Sequence, residues 1–581
     1  MLALALACSC KKTPSSNNGD DNTNITTDPQ VTTTGNTPGT IVKGTDPDPV
    51  ITQGFFLNDS WQAKTLVDPT TTDAAKPTAK EGISVSIDLS KIITKASPYL
   101  FGNNTNPFMG QMVDQPVLIS SITTLSPNIL RFPGGSLSDV YFWNQASQGP
   151  VDVPASLLNA DGSTANSPYW FGNNTQNWTM TLDNYYKALQ QTHSTGLITV
   201  NYAYARYGTS AHPDQAAAHL AADWVRYDKG RTRYWEIGNE NYGNWEASYR
   251  INTATNQDGQ PAILTASLYG QHFKVFADSM RAAAKEVGAT IEIGMVTTEA
   301  NDNATNVPNW NAGVLGAVGN SPDFFVVHNY YTPYQQNSTP DVILNTPVPV
   351  SKSTMDWVKT SVQNAGVTQK PVAMDEWNIF STGSKQMVSQ IAGVHAVMVL
   401  GELMKNQFSM SSRWDLANAW DNGDDMGMFN NAATTGVIEA AAPAWQARPT
   451  FYYMYYFQKY FGDRMVASTV MGSSDILSYA SSFTSGQAGD ILVNKSATDH
   501  TVSIGISNFL PGTKYCYYVL KGGPDGTFSR KVVINGNITS SASGGPDNFL
   551  NIPANSAAIT GGITVTVPAY GVVYLVADKA N

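Results

Sequence analysis

Tyr234-Trp235-Glu236-Ile237-Gly238-Asn239-Glu240 is the stretch that decides how the rest of the chain is read. It opens as an apolar strand, turns at a glycine and closes on a carboxylate, a group that is costly to bury unless it is satisfied or used. Pro371-Val372-Ala373-Met374-Asp375-Glu376-Trp377-Asn378 repeats the pattern. Outward from these two, across residues 98–461, short apolar runs alternate with helical periodicity, as in repeated strand-helix units around a parallel sheet. Strands are predicted at 99–103, 129–133, 197–202, 233–240, 291–296, 324–329, 372–377 and 411–416. Between them, Phe276, Met280, Ala283 and Val287 share a helical face that stops at Gly288, and Met355, Val358 and Val362 do the same before Gly366, where glycine supplies the left-handed C′ residue. Eight strands at about 40 residues per unit predict an α/β fold, a (β/α)8 TIM barrel. No glycine-rich phosphate fingerprint follows the first strand, which argues against a dinucleotide-binding sheet.

After residue 462 the helical period stops. Val, Ile, Tyr and Thr runs at 491–495, 501–507, 514–520, 531–534, 563–567 and 572–576 are separated by Gly, Pro, Asn and Asp turns. They predict a C-terminal antiparallel β-sandwich over 462–581. Residues 81–97, alternating apolar and polar at 83–89, are predicted to add a strand to it. Residues 11–80 are rich in Thr, Asn, Asp, Ser, Gly and Pro and are expected to be a flexible tether, with a short ordered piece around 55–61. Residues 1–10, MLALALACSC, are far shorter than a membrane span and look like the remnant of a lipoprotein signal. Cys8 or Cys10 would carry the lipid, placing the chain in a bacterial cell envelope, periplasmic or at the surface, or else secreted. Cys516 is left without an intramolecular partner, so no disulfide framework is expected.

Forty-five acidic and 34 basic side chains give 34 − 45 = −11 and a pI near 5.1, which removes the attraction a nucleic acid or an anionic lipid surface would need. Charged residues are 14% against about 25% in an average domain. Surface polarity therefore falls to Asn, Ser, Thr, Gln and Tyr, which suits a neutral ligand. The seven histidines are scattered, and Asp421-Asn422-Gly423-Asp424-Asp425 lacks the spacing of a calcium loop. No metal and no cofactor is expected. Neither a serine nucleophile elbow nor a kinase loop occurs.

In a barrel, chemistry sits where the C-terminal ends of the strands meet their loops, so Glu240 and Glu376, closing strands four and seven, are the candidates for a convergent pair. Trp-x-x-Gly-Asn-Glu240 and Asp375-Glu376-Trp377-Asn378 resemble the clan A retaining glycoside hydrolases. Together with Ile129-Leu130-Arg131-Phe132-Pro133-Gly134-Gly135 they look most like family 51, the α-L-arabinofuranosidases. The resemblance covers residues 83–581 and implies a barrel with a C-terminal sandwich, Glu240 as general acid/base and Glu376 as nucleophile. Retention needs the two carboxyl groups about 5–5.5 Å apart, and Glu240 should hold its proton through repulsion from an anionic Glu376.

The same resemblance makes Asn239 the residue that binds the sugar 2-hydroxyl and puts Arg131 beside the nucleophile; an ordinary turn and a structural ion pair are the alternatives. His328 in Val327-His328-Asn329-Tyr330-Tyr331 either orients Glu376, contacts a sugar or is a core histidine. Tyr330 and Tyr331 are equal candidates to bond the nucleophile. Trp245, Trp377, Trp414 and Trp420 are candidates to stack on a sugar ring, with core packing at least as good a reading for each. Two departures stand out: Gly102-Asn103-Asn104-Thr105 where the family places a glutamate, and Ser136 where it places an asparagine. They weaken the case for arabinofuranose specifically. The expected activity is double displacement on plant cell-wall polysaccharide, as an α-L-arabinofuranosidase or, alternatively, an endo-acting β-glucanase or xylanase. The long 144–180 loop, with Trp170, Phe171 and Trp178, would wall a cleft and favour internal cutting. A remoter alternative is a non-catalytic glycan-binding surface lipoprotein.

Overall fold

The computed structural model describes residues 41–78, 81–165, 169–300, 306–418, 425–431 and 442–580. Eight parallel strands close a barrel in chain order: Gly102–Asn104, Ile129–Phe132, Thr195–Val200, Tyr234–Ile237, Glu292–Val296, Phe324–Asn329, Val372–Trp377 and Met410–Arg413. Strands six and seven have the predicted limits. Strand one does not, because Pro98–Phe101 forms a 3-10 turn capped by Ser97, whose Oγ accepts the Tyr99 amide; proline at the first turn position fixes a helical φ there. Strand four ends at Ile237, three residues before Glu240. The helices Ala266–Val287 and Pro347–Ala365 stop at Gly288 and Gly366, both left-handed, as their apolar spacing predicts.

The C-terminal domain is a mixed rather than a purely antiparallel structure. Strand Ile83–Lys95 pairs antiparallel with Arg464–Met471 on one side and parallel with His500–Ser507 on the other. Its two neighbours run in opposite directions, so a strand lying between them has to be parallel to one of them. The sheet curls until its distant members meet: the Tyr515 hydroxyl, in Pro511–Gly522, donates to the Thr564 carbonyl in Ile563–Val567. Between the layers lie Val85, Ile87, Val466, Leu492, Val502, Val565, Val573 and Leu575, all buried. Strands Arg464–Met471, Ile476–Ser482 and Ala554–Ala558 were not predicted; their Ser, Ala and Thr content hides the β period.

The tether reading is corrected for residues 41–78, which lie against the body. Helix Gly54–Ser60 plugs the N-terminal end of the barrel, with the Phe56 ring 4.4 Å from Tyr234 and 5.1 Å from Phe324. Asp59 fixes the plug by accepting from the Tyr234 hydroxyl at 2.8 Å and pairing with Arg233 at 2.6 Å. Strand Thr71–Asp73 then runs parallel to Ala554–Ala558. Polar composition predicts disorder only when too little apolar surface is available to offset ordering entropy; here Phe55, Phe56 and Leu57 find a ready-made aromatic socket. Cys8, Cys10, Trp420 and residues 421–424 lie outside the described residues. Among the described residues, no helix is long and apolar enough to cross a membrane.

Candidate active site

Arg131 on strand two is the hub. Fully buried, its guanidinium donates from Nε to Glu236 Oε2 (2.8 Å), from Nη1 to Asn104 Oδ1 (3.0 Å) and Glu376 Oε2 (3.1 Å), and from Nη2 to Asn239 Oδ1 (2.9 Å). Asp375 Oδ2 stands 3.4 Å from Nε. Burial opposes the arginine's charge, but Glu236, Asp375 and Glu376 together outweigh it and hold the group firmly protonated. Such a fork can serve several carboxylates at once in a way a lysine cannot.

Consecutive strand residues normally face opposite sides of a sheet, yet Asp375 and Glu376 both reach Arg131. The register explains how. Ala373 pairs with Val326 and Glu376 with His328, so strand seven carries one extra residue there. A bulge of this kind re-aims a side chain. It also sets His328 between the acids, with Nδ1 2.8 Å from Glu240 Oε1 and 3.7 Å from Glu376 Oε2, and Nε2 3.1 Å from Asp375 Oδ1.

Glu240 sits beyond the end of strand four in the left-handed region, at φ +41°, a conformation that costs a non-glycine residue energy and clusters at functional sites. Gly238, at φ +79°, makes the preceding turn; a Cβ there would lie 2.1 Å from Asn241 Oδ1. Glu240 Oε2 accepts the Trp245 indole N–H at 2.9 Å. Across from it, Glu376 Oε1 accepts the Tyr330 hydroxyl at 2.5 Å. One oxygen of Glu240, one of Glu376 and a nitrogen of His328 all lie within 4.8 Å of one another.

The electrostatics differ from the sequence expectation. Burial raises the Glu240 carboxyl, but the hydrogen bond and charge of His328 overcome it and the net shift is downward. Glu376 is raised, by burial first and by the charge of Glu240, against the pull of His328 and Arg131. His328, although burial disfavours its charge, is held well above its ordinary value by Glu376, Asp375 and Glu240. His328 therefore favours the ionised form of Glu240 and pairs with it, while Arg131 and Tyr330 act on Glu376 in the same sense against its burial. Repulsion from an anionic Glu376 is not what governs Glu240.

Of the sequence candidates, Glu240, Glu376, Arg131, Asn239, His328 and Tyr330 come together, and Trp414 lines the same mouth, packed over the Gly134-Gly135 turn; a Cβ on Gly135 would lie 2.4 Å from its ring. Two do not join them. Tyr331 turns away, its hydroxyl 2.9 Å from Ser351 Oγ, because its left-handed backbone, at φ +56°, points it into the core. Trp377 is 1% exposed and belongs to the barrel core, not to a sugar-stacking surface. Glu236, Asp375, Asn104 and Glu246 were missed. Glu236 carried a signal: it is a charged residue inside an otherwise apolar strand, where only a buried partner can hold it.

This is the architecture and charged floor of a barrel glycosidase. The family model for the Alpha-L-arabinofuranosidase 1 domain matches residues 121–342. Among solved structures, the α-L-arabinofuranosidase from Thermotoga maritima in complex with arabinose is similar at 17% identity and TM-score 0.58, over 85% of this chain and 99% of that one. A family 51 α-L-arabinofuranosidase from Bifidobacterium longum matches at 15% identity and TM-score 0.59, over 86% and 100%. CelM2, a bifunctional glucanase-xylanase from a metagenome library, matches at 12% and 0.55, over 86% and 99%. No curated protein sequence matches the chain. The chain is a glycoside hydrolase. Its resemblance to glycoside hydrolase family 51, read from three motifs, is borne out.

Proposed function

We propose that this glycoside hydrolase is a retaining enzyme that acts on arabinose-bearing plant cell-wall polysaccharide as an α-L-arabinofuranosidase, with Glu376 as nucleophile and Glu240 as general acid/base. The observation that carries this reading is the approach of Glu240 and Glu376 to within 4.8 Å across His328, close to the separation of about 5–5.5 Å that double displacement uses. Glu376 attacks the anomeric carbon as the glycosidic oxygen departs with a proton from Glu240. Water then attacks the glycosyl-enzyme, losing its proton to Glu240 and releasing Glu376. Because Glu240, His328 and Glu376 are coupled, they titrate as a unit. Loading Glu240 requires only that a proton move along the 2.8 Å bond from His328 Nδ1, while Arg131 and Tyr330 hold the charge on Glu376. Asn239, oriented by Arg131, offers its amide to the 2-hydroxyl. A lipid on Cys8 or Cys10 would keep the enzyme in the cell envelope.

The test is the fate of aryl α-L-arabinofuranoside. Wild type should release the aryl group with retained anomeric configuration, followed by NMR. Glu376→Gly should lose about 10⁴-fold or more in kcat and regain turnover with azide, giving a glycosyl azide of inverted configuration. Unchanged turnover in Glu376→Gly removes the assignment.

A second reading, endo-acting β-glucanase or xylanase, is favoured by one feature. Asn104 is spent on Arg131 and on the Asp375 carbonyl, and Ser136 on Glu246, so the two positions that depart from the arabinose-binding pattern are turned inward. Rapid viscosity loss on glucan or xylan without aryl release would establish that reading instead.

A further inference from the structure

Glu246 is buried, 2% exposed, in the loop after strand four. Its Oε1 accepts two hydrogen bonds, from Ser136 Oγ at 2.7 Å and from Asn239 Nδ2 at 3.0 Å. Its carboxyl also shares a hydrogen bond with the Asp139 side chain. The groups around it are acidic or neutral. Asp139, fully buried in the turn after strand two, faces it, and Glu240 bears on it from the other side. Glu236 acts on Asp139 in turn. Asp139 is itself occupied by Asn241 Nδ2 at 2.8 Å. Arg131 reaches this corner through Asn239 Oδ1.

We propose that Glu246, braced by Ser136, is the positioning residue that sets the amide of Asn239 in the sugar site. The argument is one of hydrogen-bond inventory. Asn239 has one acceptor and two donors. Arg131 consumes the acceptor and Glu246 consumes one donor, so the amide cannot flip without losing both, and a single N–H remains for a substrate hydroxyl. Glu246 does this as a neutral acid: burial, Asp139 and Glu240 all push its carboxyl well upward, so Oε1 accepts as a carbonyl and Oε2 carries the hydrogen. Ser136, too short to reach a sugar while bonded to Glu246, becomes a brace for that carboxyl. The N–H left on Asn239 suits a sugar with a free hydroxyl next to the anomeric carbon.

The inference rests on the glycosidase reading, and the experiment separates the two. Glu246→Ala, Glu246→Gln, Asn239→Ala and the Ala/Ala double variant are assayed on the aryl glycoside that wild type cleaves fastest and on its 2-deoxy counterpart. Glu246→Ala is expected to lose about 30-fold in kcat/KM on the hydroxylated substrate, mostly in kcat, and less than about threefold on the 2-deoxy one. The double variant should be no worse than Asn239→Ala, the non-additivity of one shared contact. Glu246→Gln, which keeps the acceptor and cannot ionise, should restore the rate to within about threefold and extend activity at alkaline pH. Equal losses on both substrates, or additive losses in the double variant, would reduce Glu246 to a structural group and overturn the proposal alone. Failure of wild type to cleave any aryl glycoside would overturn the glycosidase reading and this inference with it.

Discussion

The two ends of the barrel are built on opposite principles. At the C-terminal ends of the strands, Arg131 and His328 share a nearly dry space with Glu236, Asp375, Glu240 and Glu376. At the N-terminal ends, Phe56, Tyr99, Tyr234 and Phe324 pack under helix Gly54–Ser60. Four acids against two bases cannot all be ionised cheaply in a low dielectric, so the upper end holds geometry at the expense of stability, and the lower end returns it through apolar burial. The same eight strands carry both, and substitutions should sort by end.

Arg131→Met should have the largest effect, because it leaves Glu236, Asp375 and Glu376 buried without their shared cation: a loss of about 3–5 kcal/mol in stability, read from the urea midpoint, together with loss of turnover. At the other end Phe56→Ala should cost a similar 3–5 kcal/mol, roughly, yet leave kcat of the folded enzyme unchanged. A fall in kcat there would erase the division between the ends.

Glu236→Gln sharpens the comparison through pH. Burial raises Glu236 from 4.5 to about 7. Between those values the native chain keeps a proton that the unfolded chain releases, so wild-type stability is full below 4.5 and falls as pH rises to about 7. One such proton contributes about 1.4 kcal/mol per pH unit. Glu236→Gln should lack that share of the slope, checked by urea melts at pH 4.5 and 7.5; identical slopes would contradict it. Smallest are the tyrosines. Tyr330→Phe should lower kcat about tenfold by removing a bond to a charged oxygen, whereas Tyr331→Phe should stay within about twofold and cost about 1 kcal/mol in stability.

The barrel was legible because strands two to seven are largely apolar runs closed by turn signals, whereas Gly102–Asn104 and Met410–Arg413 are polar, and because the helix ending at Gly288 keeps its period. Arg131, Glu240 and Glu376 were legible because motif and strand position agree. An ordered piece at 55–61 was expected, but its docking was not legible: Phe55, Phe56 and Leu57 have no period of their own, and the rings that Phe55 and Phe56 meet lie in strands four and six. Tyr330 could not be told from Tyr331 because the choice turns on one backbone angle beyond a strand end. The protonation pattern was hidden for another reason. It depends on His328 reaching three acids at once, which the bulge between Ala373 and Glu376 permits and no local signal announces.

One consequence belongs to synthesis on the ribosome. Ile83–Lys95 emerges before any barrel strand, yet its antiparallel neighbour, Arg464–Met471, is translated only after the whole barrel. At about 5–20 residues per second, this long strand, apolar on one face, waits tens of seconds with both edges open, a natural recruiting site for holdase chaperones. The enzyme's yield in a heterologous host should therefore respond to chaperone supply more than to anything in the catalytic cleft.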